Sequence, residues 1–326
     1  MPAHAHSPGP WRSAWQRLRR QRTAVLALGF LALVTLVCVI GPSFSPYSES
    51  QQNLQAVSQA PSLAHWMGTD LLGRDLATRV LYGGRISLFI GLVATLVAML
   101  IGVAYGLVSG MAGGRLDNAL MRLIDILYGF PFMAFVILLT VLFERSLVLL
   151  FVAIGAVEWL TTARVVRGQT LSLMNQEFIL AARVSGASHA RILWRHLVPN
   201  VMGQVVIYAS LTVPGIMLLE AVLSFLGLGV QPPQSSWGTL IQEGANNMET
   251  SPWMLLFPGS LFILTLLALN TLGDALRDAL DPKSNPAGRP PCAPGSSFPA
   301  SPTCPRSGPT APPPGCFAAA PGPTSA

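Results

Sequence analysis

The 326 residues are 51% hydrophobic and only 10% charged, with a mean hydropathy of +0.52 and a net charge of +6. Soluble domains carry about 25% charged residues, so this composition excludes an ordinary soluble protein and indicates that lipid is the solvent. The basic residues flank apolar runs and form no aromatic-interleaved patch, which favours a membrane-orientation signal over nucleic-acid binding.

The N-terminal part combines a basic arm with a first apolar run. Residues 1–22 contain five arginines and are expected to form a cytoplasmic arm. Residues 23–48 carry no charge, exceed the roughly 7–15-residue core of a signal peptide, and are followed by no A-x-A cleavage site, so they predict a first membrane helix. In the mixed segment 49–85, helical spacing of apolar residues predicts a short amphipathic helix at the outer interface, with Asp70 as its N-cap.

The second predicted span, residues 86–114, carries a regular pattern of small residues. They recur at every fourth position, at Ala94, Ala98, Gly102, Gly106 and Gly110. Small residues at this spacing form a shallow face along one side of a helix. The face either packs closely against a neighbouring helix or lines a pathway for solute.

Four further apolar runs complete a six-span prediction: residues 126–143, 146–162, 201–225 and 252–270. Arg115 and Arg122 mark an inside loop, Glu144–Arg145 a tight outside turn, and residues 164–200 a cytoplasmic segment. Sixteen of the 20 basic residues then lie inside, as the positive-inside rule requires. We therefore expect an all-α, polytopic membrane domain over residues 23–283, with both termini cytoplasmic.

The last segment, residues 284–326, differs from the rest of the chain. It is rich in Pro, Ala, Ser and Gly and shows no apolar periodicity. Such a composition buries too little apolar surface to offset the entropy of ordering, so we expect a disordered tail.

Two acidic residues, Glu158 and Glu220, lie near membrane depth. A charge at the centre of a lone span costs at least ~2.5–3.5 kcal/mol, so such residues usually face a cavity or a partner. Glu158 either carries protons or forms an interfacial salt bridge with Arg164. For Glu220, pathway lining and interhelical hydrogen bonding remain equal alternatives.

The polar segment 176–200, QEFILAARVSGASHARILWRHLVPN, interrupts the apolar runs. It predicts two short helices joined at Gly186, the second of which ends at Val198-Pro199-Asn200, because the residue before a proline is disfavoured in the α region. A helical hairpin offered to the cytoplasm is suited to docking a soluble partner.

The sequence contains none of the common motifs of phosphate-binding loops, hydrolase active sites or zinc sites. No GxxxxGK[ST] phosphate-binding loop, GxSxG or HExxH motif occurs, and the four cysteines form no CxxC pair. We therefore predict no enzyme activity, no cofactor and no metal site in this chain.

The stretch from Ala181 to Gly186, followed by Pro199, resembles the cytoplasmic EAA motif of ABC importer permeases. GTDLLGRD (68–75), ARVVRGQTLSL (163–173), LSFLGLGVQPP (223–233) and LGDALRDALDP (272–282) narrow the resemblance to the peptide/nickel branch, and most closely to the second permease subunit of dipeptide and oligopeptide importers. The resemblance covers roughly residues 17–283.

This resemblance implies a type I ABC importer permease fold in the bacterial inner membrane, forming the translocation pathway for di- or oligopeptides. It implies as partners a second homologous permease, two ATPase subunits that bind ATP and Mg, and an extracytoplasmic solute-binding protein. The coupling helix, which docks on an ATPase, falls at about residues 177–187. The residues expected to couple are Glu177, Ala181, Ala182, Arg183, Gly186, Ala187, Arg191 and Pro199.

The sequence departs from the family motif at two places. Leu180 stands at the glutamate position, and His196-Leu197-Val198 replaces the usual isoleucine-x-leucine before the proline. Three alternatives remain at this point: import of nickel or another small solute by the same architecture, a proton-coupled secondary transporter using Glu158 or Glu220, and a structural membrane protein whose loop anchors a partner.

Overall fold

The computed structural model describes residues 10–142 and 147–280. These residues form helices without any β-strand, as the sequence predicts, and the helices are α1 Pro10–Arg20, α2 Arg22–Ile40, α3 Leu76–Ala112, α4 Gly114–Tyr128, α5 Phe132–Leu142, α6 Leu147–Met174, α7 Glu177–Val184, α8 His189–Ile192, α9 Val198–Phe225, α10 Trp237–Asn246 and α11 Trp253–Leu280. The expected Glu144–Arg145 turn and the tail 284–326 lie outside the described residues.

Within residues 10–142 and 147–280, four helical segments are long and apolar enough to cross a bilayer. They are Arg22–Ser43, Leu76–Ala112, His189–Phe225 and Trp253–Leu280, and they correspond to the predicted first, second, fifth and sixth spans. The predicted third and fourth spans fall on α5 and α6. The described part of α5 has only 11 residues, whereas a span needs about 20, and α6 carries three charged side chains at Glu158, Arg164 and Arg167.

The separate amphipathic helix expected at the outer interface does not form. Residues 76–85 are instead the first turns of α3, which continues without a break to Ala112. Asp75, and not Asp70, is the N-cap, because its carboxylate accepts a hydrogen bond from the backbone N–H of Thr78 at 2.8 Å. Asp70 closes the preceding turn by accepting from the backbone N–H groups of Leu72 and Arg74.

The inside loop expected around Arg115 and Arg122 is also helical. It forms α4, which ends at Tyr128, three residues before Pro131. The predicted third span therefore does not begin at residue 126, since the chain breaks at Gly129–Pro131 and α5 starts at Phe132. In the same way the basic arm includes a helix, α1, which packs on α11 through Leu18 and Ala275.

The end of the bundle at which α3 begins is built around Trp237 at the start of α10. This side chain is fully buried among residues of α2, α3 and α11, including Val34, Val80 and Phe262. Its indole Nε1–H donates to the carbonyl of Val80 at 2.9 Å. This hydrogen bond and the apolar contacts of Trp237 hold the short helix α10 against α3.

Candidate functional site

The segment between α6 and α9 forms the helical hairpin that the sequence predicts, with its turn at Gly186. The backbone there has φ = +79°, a left-handed conformation that favours glycine. The N–H of Ala187 donates to the carbonyl of Ala182, and the N–H of Gly186 to that of Arg183. These two bonds form a Schellman motif that ends α7. Ser188 then caps α8 by accepting from the N–H of Arg191.

The hairpin is fixed to the bundle by apolar side chains on its inner side. Ile179 of α7, Ile192 of α8 and Leu197 are fully or almost fully buried. They join one cluster with Val166 of α6 and Val201 of α9. A displacement of the hairpin would therefore move the ends of two long helices with it.

The opposite side of α7 is apolar and exposed. Leu180 and Ala181 each lie about one helical turn before Val184, and all three are exposed, whereas Ile179 is buried. Val184 is 91% exposed, and Trp194, in the second half of the hairpin, is 70% exposed. We call Phe178, Leu180, Ala181, Val184 and Trp194 the outer face of the hairpin. Large apolar residues exposed in a polar loop mark a contact surface.

The remaining predicted coupling residues lie around this face. Glu177 begins α7 and is exposed, Ala182 and Ala187 are half-buried, and Arg183 and Arg191 are exposed. Arg183 donates to the sulfur of Met174 at 3.6 Å. Neither arginine forms an ion pair with another described residue, so both guanidinium groups remain available to a partner.

Pro199 does not end the second helix, contrary to the sequence prediction. Residues 193–197 form a π turn, and α9 starts immediately afterwards at Val198, with Pro199 in its first turn. A proline is tolerated there because the first-turn N–H groups have no intrahelical acceptor. The Asn200 amide donates to the carbonyl of His196 at 2.6 Å. The hairpin is consequently continuous with the long helix α9.

The small-residue face of α3 lies against α6. A Cβ atom on Gly102 would stand 2.5 Å from Cβ of Thr162, and one on Gly110 would stand 2.6 Å from Cβ of Thr170. At Gly106 the nearest atom is the backbone oxygen of Ala163, at 2.6 Å. Of the two interpretations of this face, the geometry is that of close helix packing.

Glu220 is enclosed in a hydroxyl network between α3, α9 and the segment before α10. Its side chain is 0% exposed. Oε1 accepts from Ser224 at 2.7 Å and from Ser236 at 2.6 Å, and Oε2 accepts from Ser87 at 3.4 Å. Ser87 in turn accepts from the backbone N–H of Trp237. The bond from Ser224 lies within α9, whereas the bonds from Ser87 and Ser236 join α9 to α3 and to the start of α10. Interhelical hydrogen bonding is one of the two roles considered for this residue.

Glu158 has different surroundings. It is partly exposed on α6, and its carboxylate has no hydrogen-bond or ion-pair partner among the described residues. The expected salt bridge to Arg164 is not formed, because Arg164 pairs with Asp125 of α4 at 2.6 Å and stacks on Tyr128.

Two ion-pair networks were not predicted from the sequence. On the side of the 49–75 segment, Arg79 is 2% exposed and donates to Asp70 and, through both terminal nitrogens, to Glu243. At the other end of α3, Asp117 of α4 accepts from Arg167 at 2.5 and 2.6 Å and from Ser109. These hydrogen bonds from Arg167 hold the pKa of the Asp117 carboxyl below its usual value, against the opposing effect of desolvation. The Arg79–Glu243 pair and the Asp117–Arg167 pair each join residues that are distant in sequence.

Comparison with known proteins yields two family matches. Residues 102–285 match the model described as "Binding-protein-dependent transport system inner membrane component". Residues 9–61 match the "N-terminal TM domain of oligopeptide transport permease C". The first match runs from the second half of α3 to α11, and the second covers α1 and α2.

Individual relatives are similar over most of their length. The oligopeptide transport system permease protein OppC of Escherichia coli is 54% identical over 275 residues, which are 84% of this chain and 91% of the relative. The dipeptide transport system permease protein DppC of Bacillus subtilis is 46% identical over 83% of this chain and 85% of the relative. The glutathione transport system permease protein GsiD of Salmonella typhimurium is 42% identical, over 84% and 91% respectively.

Proposed function

The chain belongs to the family of binding-protein-dependent transport inner-membrane components, and from this premise we propose that it is the permease subunit of an ABC importer that brings peptides across the cytoplasmic membrane. The family membership confirms the resemblance found in the sequence motifs. The peptide substrate is supported by relatives that carry oligopeptide and dipeptide transport in their names, at 54% and 46% identity.

The outer face of the hairpin carries this proposal. An ATPase subunit docks on Leu180, Ala181, Val184 and Trp194, and Arg183 and Arg191 pair with its acidic groups. Movement of the docked hairpin is transmitted to the membrane helices, because the inner side of the hairpin packs on α6 and its second half continues into α9. ATP and Mg are bound by the ATPase subunits, and this chain supplies the path for the solute together with a second homologous permease.

The topology we propose has six spans with both termini in the cytoplasm. In this topology α5 and α6 contribute two further spans in addition to the four candidate spans. Arg183 and Arg191 of the hairpin then lie on the cytoplasmic side, where the ATPase subunits are. The segment 49–75 faces an extracytoplasmic solute-binding protein. The positive-inside distribution of the basic residues supports this orientation.

A charged substitution in the outer face tests the coupling role. In the complete importer reconstituted in proteoliposomes, Ala181→Asp is expected to lower ATP-driven peptide uptake at least tenfold, because an unpaired charge in a contact surface costs ~2 kcal/mol or more. Ala181 is exposed, so the bundle itself is unaffected. Ala181→Ser, which keeps the side chain small and uncharged, serves as the matched control.

Two results would contradict the proposal. One is uptake by Ala181→Asp at the wild-type rate. The other is a purified complex that transports peptide with no ATPase subunits bound.

A further inference from the structure

The N-terminal helix α1 is amphipathic, and its apolar side packs on the bundle. Ala14 and Leu18, one turn apart, are only 7% and 5% exposed. Leu18 belongs to one cluster with Ala24, near the start of α2, and with Ala275, near the end of α11. The helix α1 is therefore fixed to the ends of two membrane helices.

The opposite side of α1 is basic and exposed. Arg12 and Arg19 are two turns apart and share a face, which Arg20, one turn after Gln16, extends. Within the described part of the chain, none of these three arginines forms an ion pair. Trp15 lies on the same side and is 50% exposed, with the Arg19 guanidinium 5.7 Å from the centroid of its ring. We call Arg12, Trp15, Arg19 and Arg20 the basic face of α1.

The basic face lies next to the start of a membrane span. The helix α1 ends at Arg20, and the first candidate span begins at Arg22. Only Gln21 separates them, and its extended backbone, with φ = −84° and ψ = 109°, turns the chain between the two helices. An amphipathic helix joined to a span by one residue lies at the depth of the lipid headgroups, where tryptophan is enriched.

The acidic groups near α1 are too few to neutralise it. The last two turns of α11, on which α1 packs, carry Asp274, Arg277 and Asp278, and hence one net negative charge. Residues 10–22 carry five arginines and no acidic residue. The excess of positive charge remains available to attract anions.

We propose that the basic face of α1 binds the phosphate groups of anionic phospholipids in the cytoplasmic leaflet. The guanidinium groups donate hydrogen bonds to phosphate oxygens, for which their planar fork is suited. Trp15 places its ring among the headgroups beside them. This inference goes beyond the proposed import of peptides, because the binding needs neither ATP nor a solute. It uses the proposed topology only to place α1 at the cytoplasmic leaflet.

A lipid surface fits this face better than an acidic protein surface does. The helix α1 packs on the ends of α2 and α11, whereas the hairpin that docks the ATPase packs on α6 and α9. An exposed tryptophan beside the end of a span is typical of the membrane–water interface. Basic and aromatic residues on one helix that lies along the membrane surface are typical of binding to anionic lipids.

Fluorescence quenching in nanodiscs tests the lipid preference. Alanine replaces the four cysteines Cys38, Cys292, Cys304 and Cys316. Gln16→Cys, which lies on the exposed side of α1, then carries a bimane fluorophore. In nanodiscs that hold the complete importer, nitroxide-labelled phosphatidylglycerol should quench the bimane at a mole fraction at least tenfold lower than nitroxide-labelled phosphatidylcholine. The reason is that each basic residue near an anionic membrane surface strengthens association about fivefold.

Two triple variants separate charge from shape. Replacing Arg12, Arg19 and Arg20 by glutamine should lower the preference for phosphatidylglycerol at least tenfold. Replacing the same three by lysine keeps the positive charges and should retain most of the preference. In the wild-type sequence around α1, raising the salt from ~0.1 to ~1 M should weaken the preference, because the Debye length falls from about 10 to about 3 Å.

Three results would overturn the inference. One is equal quenching by the two lipids when all three arginines are present, and another is a preference that survives in the glutamine variant. The third is quenching by neither lipid until the ATPase subunits are removed, since protein would then cover the basic face. Neither ATP nor peptide is added in these measurements. An importer that shows the lipid preference but takes up no peptide would therefore contradict the proposed function alone.

Discussion

At the scale of single residues, Glu158 of α6 and Glu220 of α9 have opposite surroundings. Glu220 is fully buried and accepts hydrogen bonds from three serines, whereas the Glu158 carboxylate has no such donor among the described residues. A satisfied buried network stabilises one arrangement of the helices that share it. Glu220 therefore holds α3, α9 and the segment before α10 together.

Glu220→Ala should consequently destabilise the protein more than Glu158→Ala does. Three serine hydroxyls lose their acceptor, and a hydrogen bond to a carboxylate contributes ~1.5–3 kcal/mol, so we expect a loss of about 2–4 kcal/mol with partial relaxation. The measurement is the thermal unfolding midpoint of the purified protein in detergent. Equal midpoints for the two variants would show that the network does not stabilise the fold.

These residue-level roles were only partly predictable. The sequence identified both carboxyl groups as unusual, because each stands in an apolar run. It left the role of Glu220 open, since its partners Ser87 and Ser236 are 133 and 16 positions away and become neighbours only through tertiary packing. For Glu158 it favoured Arg164, six residues on, but that arginine is taken by Asp125 of α4.

At the scale of elements, the face of α3 that bears Gly102, Gly106 and Gly110 determines how closely α6 approaches. In lipid, helix association depends on van der Waals contact, so small residues at every fourth position allow two backbones to meet. The ion pair between Asp117 and Arg167 fastens the same helices near their ends through α4. Both contacts position α6, and with it Glu158.

A single methyl group at this contact should separate the two helices. In Gly106→Ala the new Cβ would stand 2.6 Å from a backbone oxygen, which cannot rotate away, so we expect a loss of about 1–3 kcal/mol. Gly29→Ala in α2 is the control, because its Cβ would meet nothing within 4 Å and alanine favours a helix by up to ~1 kcal/mol. The measurement is the thermal unfolding midpoint of each variant. Equal midpoints for Gly106→Ala and Gly29→Ala would refute tight packing at Gly106.

The existence of the elements was more predictable than their ends. Long apolar runs located the first, second, fifth and sixth spans, because burial in lipid requires a long apolar stretch. The continuity of α3 was missed because Arg79 and Arg85 interrupt the apolar run, so the sequence predicts a helix before residue 86 that is separate from the second span. Arg79 is accommodated within the fold by its ion pairs with Asp70 and Glu243. The continuity of α8 into α9 was missed because Pro199 was interpreted as a stop and not as a first-turn residue.

At the scale of the whole molecule, one orientation explains the placement of both polar surfaces. The hairpin presents its apolar outer face at the end of the bundle where α6 and α9 meet, together with Arg183 and Arg191, which form no ion pair with another described residue. The segment 49–75 lies at the start of α3, at its opposite end, and is joined to α10 by Arg79 and Glu243. If the hairpin faces the cytoplasm, sixteen of 20 basic residues are cytoplasmic.

Labelling from outside the cell tests this orientation directly. In the background without native cysteines, Gln52→Cys and Ser185→Cys each place a thiol at an exposed position, one in the 49–75 segment and one at the hairpin turn. A membrane-impermeant maleimide should label Gln52→Cys in intact spheroplasts and Ser185→Cys only after permeabilisation, because positively charged loops are retained on the cytoplasmic side. Equal labelling of the two positions in intact cells would mean that the hairpin and residue 52 share one side of the membrane. If both lie outside, a cytoplasmic ATPase cannot reach the hairpin. If both lie inside, an extracytoplasmic binding protein cannot reach the segment 49–75.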